Sequence, residues 1–202
     1  MSILKYLTNM QNDAASSDAR PSPPKRFQFD VFTDGSEIKE KKTFKTLGLG
    51  WGYVLKKNRT TIHEANGSIP EGNNQRVELL AIHKALQHLT QKGVRNADIT
   101  VYSDSEYSIK CITLWSNTWK RNGWKKTGTS IPVKHRDLIE PSVNMYAKLR
   151  LLNDVRFQHV RSHKYAKGFA GEMDYLSRGN DEADTLATSA SKSMLKLNVI
   201  TS

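Results

Sequence analysis

The chain has 202 residues, enough for one domain with tails, and a core of about 150 residues would bury roughly 70% of its unfolded surface without a disulfide or a structural metal. Lysine and arginine outnumber aspartate and glutamate by 31 to 20, a net charge of +11 that favours polyanionic partners. No stretch reaches the ~18 apolar residues of a membrane span, and the single cysteine, Cys111 in the apolar Ile109-Lys110-Cys111-Ile112 stretch, excludes an internal disulfide and reads as a buried thiol in a reducing, intracellular setting.

Residues 1–26 divide into a short apolar start, Met1 to Leu7, and a polar stretch ending Arg20-Pro21-Ser22-Pro23-Pro24-Lys25-Arg26. This composition predicts a flexible N-terminal tail or linker. The start lacks the apolar core of a secretory signal. With Asp13 and Asp18, and no arginine before Arg20, it makes a poor mitochondrial presequence, so nucleus or cytoplasm is the expected compartment. The Ile3-x-x-Tyr6-Leu7 spacing resembles a degenerate sliding-clamp-binding peptide, which implies a weak clamp contact through Ile3, Tyr6 and Leu7.

From Phe27 the pattern turns globular. A strand to Thr33, a glycine-rich strand over Leu47–Leu55 and a third around Thr61–Ile69 predict an antiparallel meander. Val77, Leu80, Ala81, Lys84, Ala85 and Leu89 fall on helical spacing, and Gly93 stops that helix before a strand over Ile99–Ser103. A helical region from Ser105, a basic turn-rich segment, a helix over Arg136–Leu149, a strand over Val155–Val160 and a last helix over Asn180–Ser191 complete the domain, 27–191. Residues 192–202 are expected to be a C-terminal tail. The order predicts an α/β fold with a mixed five-stranded sheet, its first three strands antiparallel, flanked by helices.

Four acids stand where these elements would bring them together. Asp34 and Asp104 each follow an apolar strand run, and ligands of open α/β sheets bind outside the carboxyl ends of parallel strands. Two such carboxylates would repel unless they shared a cation. Glu78 lies on or beside the apolar face of the first helix, and Asp184 in the first turns of the last. Alone, Glu78 is equally an exposed helix glutamate and Asp184 a solvated first-turn acid.

Together these residues resemble the cellular type 1 ribonuclease H family over about 165 residues, Phe27–Ser191. Thr33-Asp34-Gly35-Ser36 is similar to its first-strand motif, Asn74-Gln75-Arg76-Val77-Glu78 to its glutamate helix, and Ser103-Asp104-Ser105 to its fourth-strand motif. Val160-Arg161-Ser162-His163 resembles its histidine loop, Trp115-x-x-x-Trp119-Lys120-Arg121-Asn122-Gly123-Trp124-Lys125 its basic protrusion, and Gly179-Asn180-Asp181-Glu182-Ala183-Asp184 its last aspartate. Six short motifs in the right order are far more specific than any one of them.

The resemblance implies hydrolysis of the RNA strand of an RNA–DNA hybrid, leaving 5′-phosphate and 3′-hydroxyl ends, by a monomer using two Mg²⁺ ions, with Mn²⁺ able to substitute. In that family pattern Asp34 bridges the ions, Asp184 holds the one that activates water, and Glu78 with Asp104 holds the one at the leaving group. His163 moves protons or helps product leave, although 21 positions separate it from Asp184, more than the family pattern has. Asn74 and Gln75 would read the RNA strand, with helix capping as their structural alternative.

Tyr107, Trp115 and Thr127 align with channel positions for the DNA strand. Trp119, Lys120, Arg121, Trp124, Lys125, Lys126 and Lys134 would meet its backbone, unless the tryptophans belong to the core. At the family's phosphate-gripping arginine and threonine this chain has Glu71 and Asn73. A non-catalytic hybrid-binding protein and a nuclease domain working inside a larger complex are the rival readings. With no room for a separate hybrid-binding module, modest processivity is expected.

Overall fold

The computed structural model describes residues 26–161 and 171–200, with backbone alone for 196–200. Five strands form one sheet in the order β3-β2-β1-β4-β5, from β1 (Phe27–Lys39), β2 (Thr46–Lys57), β3 (Thr60–Ser68), β4 (Ala97–Ser103) and β5 (Asp154–His159). The first three are an antiparallel meander, while β4 and β5 add in parallel on the other side of β1. Helix α1 (Asn74–Gln91) makes the crossover from β3 to β4. Then come α2 (Glu106–Lys110), a π-helical turn (Cys111–Trp115), α3 (Ser116–Arg121), α4 (Arg136–Arg150) and α5 (Glu172–Ile200). The mixed sheet with its antiparallel meander is as the sequence predicts.

Two positions differ from the sequence expectation, each for a packing reason. β1 does not stop at Thr33. Its parallel pairing with β4 ends at the Thr33–Ser103 pair, whereas its antiparallel pairing with β2 runs on to Lys39. Asp34 therefore sits inside a strand, at the point where one of its two neighbours has left. The last helix, expected over Asn180–Ser191, covers Glu172–Ile200, so the segment expected as a tail from 192 continues the helix. Gly179 lies inside this helix: an added Cβ there would overlap the Phe32 ring, and the glycine lets α5 lie down on β1.

Alternation along the strands sorts side chains to two faces. Phe29, Val31, Tyr53 and Leu55 face the main core with Leu79, Ile82 and Leu86 of α1 and Ile139 of α4. Phe32 faces the other way, toward Tyr102, Tyr175 and Ala183. On that second face β2 presents Gly48, Gly50 and Gly52 to the backbone of α5, at Ser191, Ala187 and Ala183. Glycine at alternate positions removes every side chain from one stripe of the strand, so the helix approaches the sheet at backbone distance. Tyr175 donates a hydrogen bond of 2.6 Å to the buried carboxylate of Asp30, and Lys56 Nζ lies 2.8 Å from Glu182 Oε1, fixing the start and middle of α5. Cys111 is fully buried, and burial pushes its thiol up to about 11, as befits a packed side chain.

Candidate active site

Asp34, Glu78 and Asp104 come from β1, α1 and the residue after β4, and each offers a carboxylate oxygen within 4.8 Å of the other two. Asp34 and Glu78 are 5% and 6% exposed, so water screens little of their repulsion. Burial, then the charge of Asp104, pushes the Asp34 carboxyl up to about 8, against the pull of the Gly35 N–H. Glu78 is raised by burial first and by Asp34 and Asp104 next. Asp184, on α5, reaches the same point: its carboxyl bears on Asp34 by charge and by hydrogen-bond contact, and it accepts a bond of 3.2 Å from the Thr188 hydroxyl.

Local contacts explain how each acid is aimed. Gly35 donates its N–H to Asp34 Oδ1 at 2.7 Å. An added Cβ at Gly35 would lie 2.5 Å from the Glu78 nitrogen, so glycine lets β1 and α1 approach closely enough to join the two carboxylates. Asn74 Nδ2 donates to Glu78 Oε1 at 3.3 Å, while Glu78 Oε2 is buried without a hydrogen-bond partner among the described residues. A buried acceptor with no donor, inside a set of hard oxygen ligands, is what a divalent cation would satisfy. The donor set fits such an ion.

The helix cap is neither Asn74 nor Gln75. Asn73 occupies it, its side chain accepting from the Arg76 N–H at 3.1 Å. Asn74 and Gln75 are exposed in the first turn, four and three positions before Glu78 and so on its side of the helix. Arg76 does not reach outward; it forks onto Asp137 of α4 at 3.1 and 2.5 Å. Glu71 is exposed, and Asn73 is spent on the cap, so the family's two phosphate-gripping positions lack a cation here.

The protrusion is built as the sequence suggests, except at one residue. Tyr107, Trp115 and Trp119 form a ladder of half-buried rings, with centroids 5.8 and 5.7 Å apart, on the continuous α2–π–α3 helix. Lys120 and Arg121, at the end of α3, and Lys125, Lys126, Thr127 and Lys134, on or beside a short ribbon closed by Lys126 N–H to Ile131 O and Val133 N–H to Trp124 O, are exposed around it. Trp124 is the exception. It is 5% exposed and packed in the main core under Arg136, so it supports the ribbon from inside and does not face a duplex. A tryptophan among lysines carries no sign in the sequence of which way its ring turns. His163, and the clamp-like Ile3, Tyr6 and Leu7, lie outside the described residues.

The RNase H family model matches residues 27–192, which take in all four acids, and a Ribonuclease H of Thermosynechococcus vestitus is 36% identical over 145 residues, 71% of this chain and 79% of that protein. The chain belongs to the ribonuclease H family. It is a hydrolase of the nuclease class, and its acidic cluster is one that could hold metal. Solved structures carry the same fold at lower identity. The PFV RNase H domain superposes with a TM-score of 0.66 at 21% identity, covering 83% of this chain and 96% of that one. LC11-RNase H1, solved in complex with an RNA/DNA hybrid, has a TM-score of 0.55 at 18% identity over 83% of this chain and 98% of its own.

Proposed function

We propose that this ribonuclease H cuts the RNA strand of an RNA–DNA hybrid with Asp34, Glu78, Asp104 and Asp184 as the ligands of two Mg²⁺ ions. The observation that carries this reading is the meeting of four carboxylates from four elements at the edge where β4 leaves β1, two of them nearly without access to water. Bound there, two divalent cations would activate the attacking water and stabilise the departing oxygen of a phosphoryl displacement. All-oxygen ligands suit Mg²⁺, and Mn²⁺ could take its place. Gly35 and Asn74 hold Asp34 and Glu78 in the orientation that leaves Glu78 Oε2 open toward the ligand. Loss of the metal should leave a folded protein that still binds hybrid but does not cut it. His163 would assist proton movement.

Strand choice falls to Asn74 and Gln75. A 2′-hydroxyl both donates and accepts, as does a carboxamide, and these two are exposed beside the carboxylates because Asn73 has taken over the cap. Mg²⁺-dependent cleavage should be seen for the hybrid and not for RNA or DNA duplexes of the same sequence. Replacing the ribonucleotides around the scissile phosphate by deoxyribonucleotides should block cleavage with the charge unchanged. The double variant Asn74→Ala, Gln75→Ala should cut the hybrid more slowly by about thirtyfold, at roughly 1 kcal/mol per lost hydrogen bond, with duplex binding largely kept. Asn73→Ala is the control, since it should lower stability by about 1 kcal/mol. A folded double variant that cuts at the parental rate would move RNA sensing elsewhere.

The DNA strand is assigned to Tyr107, Trp115, Trp119 and Thr127, with its phosphates on Lys120, Arg121, Lys125, Lys126 and Lys134. Changing Lys120, Arg121, Lys125 and Lys126 together to alanine should weaken hybrid binding and lower the slope of log affinity against log salt by about 3, from ~0.7–0.9 per lost contact. An unaltered slope would mean that the ribbon does not touch the backbone.

A further inference from the structure

The turn between β1 and β2 takes no part in the site described above, yet it is built as a contact surface. Lys41, Lys42 and Lys45 are exposed and make no ion pair among the described residues. Between them Phe44 is 75% exposed with a positive φ of 57°. A phenylalanine ring in water gains nothing from burial, and a bulky side chain in the left-handed region is a backbone outlier of the kind that concentrates at functional sites. The tip is nevertheless firmly folded. Glu40 and Phe44–Lys45 exchange backbone hydrogen bonds of 2.9 Å, Thr43 donates to the Glu40 carboxylate, and the Lys45 N–H returns to Thr43 Oγ1 at 3.2 Å. The charges and the ring are thus held out on a rigid support.

The base of this hairpin is tied to the site. Glu37 accepts from the Thr46 hydroxyl at 2.7 Å and from the Asn74 N–H at 3.0 Å, and Asn74 in turn holds Glu78. Lys39 is five residues beyond Asp34 along the same strand, a run of about 17 Å at ~3.3 Å per residue. A nucleic acid strand advances by about 3.4 Å per nucleotide, so this distance equals the length of about five nucleotides.

We propose that Lys41, Lys42, Phe44 and Lys45 form a remote clamp on the same substrate duplex, the three ammonium groups meeting phosphates and the phenyl ring lying on sugars of the wide, shallow minor groove. Charge complementarity selects this occupant: three cations without an ion pair among the described residues, beside one aromatic ring, suit a phosphate backbone with apolar sugar edges. The clamp rests on the hybrid-cutting reading and adds to it a reach that sets the preferred duplex length.

The test uses the full chain, the triple variant Lys41→Ala, Lys42→Ala, Lys45→Ala, and separately Phe44→Gly. Two duplexes share one central block of ribonucleotides, with about four or about twelve base pairs on each side. On the long duplex the triple variant should raise KM by about tenfold with kcat unchanged, and on the short duplex neither should move. In EDTA, where nothing is cut, the salt slope of binding to the long duplex should fall by about 2 to 3. Phe44→Gly relieves the left-handed backbone, so its melting temperature should hold or rise while its affinity for the long duplex falls several-fold. A structural phenylalanine would give the opposite pairing. Equal losses on both duplexes, an unchanged salt slope, or parental binding by Phe44→Gly would each overturn the clamp. If the parent chain cuts neither duplex, the hydrolysis reading has failed, and the EDTA binding comparison still decides the clamp.

Discussion

Asp34→Asn is expected to reduce hybrid cleavage by a thousandfold or more, about 4 kcal/mol at ~1.4 kcal/mol per decade, while making the metal-free protein more stable at alkaline pH. Both effects have one origin. The Asp34 carboxyl, raised to about 8 by burial and by Asp104, is harder to ionise in the folded chain than in the unfolded one. A raised acid stabilises the fold below its unfolded value near 3.8 and loses that contribution as pH climbs through the folded value. Metal-free parent protein should therefore lose stability between pH 4 and about 8, relative to an asparagine variant that cannot ionise. At pH 9 in EDTA the variant should be the more stable of the two by about 1–3 kcal/mol in urea unfolding, because a relaxing, partly hydrated site recovers much of the cost of ionising a buried carboxyl. Adding Mg²⁺ should reverse the order, because the cation binds only the ionised cluster and stabilises the parent by mass action. Near-parental turnover at saturating Mg²⁺ would remove Asp34 from the metal site, and a variant less stable than the parent in EDTA at pH 9 would show that the acids do not strain the fold.

The parts of the molecule that are legible in the sequence are those governed by local pattern. Period-two and period-3.6 spacing places all five strands and the three longest helices, and four of the six motifs pick out four acids that the fold does bring together. What pattern does not show is which neighbour a strand keeps. Asp34 resembles the end of a strand because its apolar run stops there, but β2 holds β1 in place to Lys39, and only β4 departs. Roles among adjacent polar residues are equally hidden: the sequence offers Asn74 and Gln75 as caps, and only the bond that Asn73 accepts from the Arg76 N–H shows that the cap lies one residue earlier and that the other two are exposed. Trp124 and Gly179 escape local reading for one reason, since the place of each depends on a partner distant in sequence. The buried Asp30–Tyr175 bond and the tie from Glu37 to Asn74 join residues 145 and 37 positions apart, and no local signal announces either.

The glycines of β2 offer the second large effect, because they set how near Asp184 comes to the other acids. At Gly52 a Cβ would lie 2.7 Å from the Ala187 nitrogen and 2.8 Å from the Ala183 oxygen, backbone atoms on either side of Asp184 in the helix; at Gly50 it would overlap the Ala187 carbonyl. Neither contact can be relieved by turning a side chain, so α5 must lift from the sheet. Gly50→Ala with Gly52→Ala should therefore cost about 2–6 kcal/mol, at the 1–3 kcal/mol typical of overpacking per site. Cleavage should fall further than stability explains: at a temperature where the double variant remains folded, kcat should drop at least a hundredfold, since a ligand displaced by about 1 Å no longer meets its metal. Binding of hybrid, which the proposed reading assigns to the protrusion, should hold. Gly93→Ala separates the two consequences. That glycine has a φ of 62° and nothing within 4 Å of an added Cβ, so the change should cost about 1 kcal/mol of backbone strain and leave kcat alone. If the β2 double variant keeps full activity where it is folded, the close seat of α5 serves stability only, and Asp184 reaches the cluster without it.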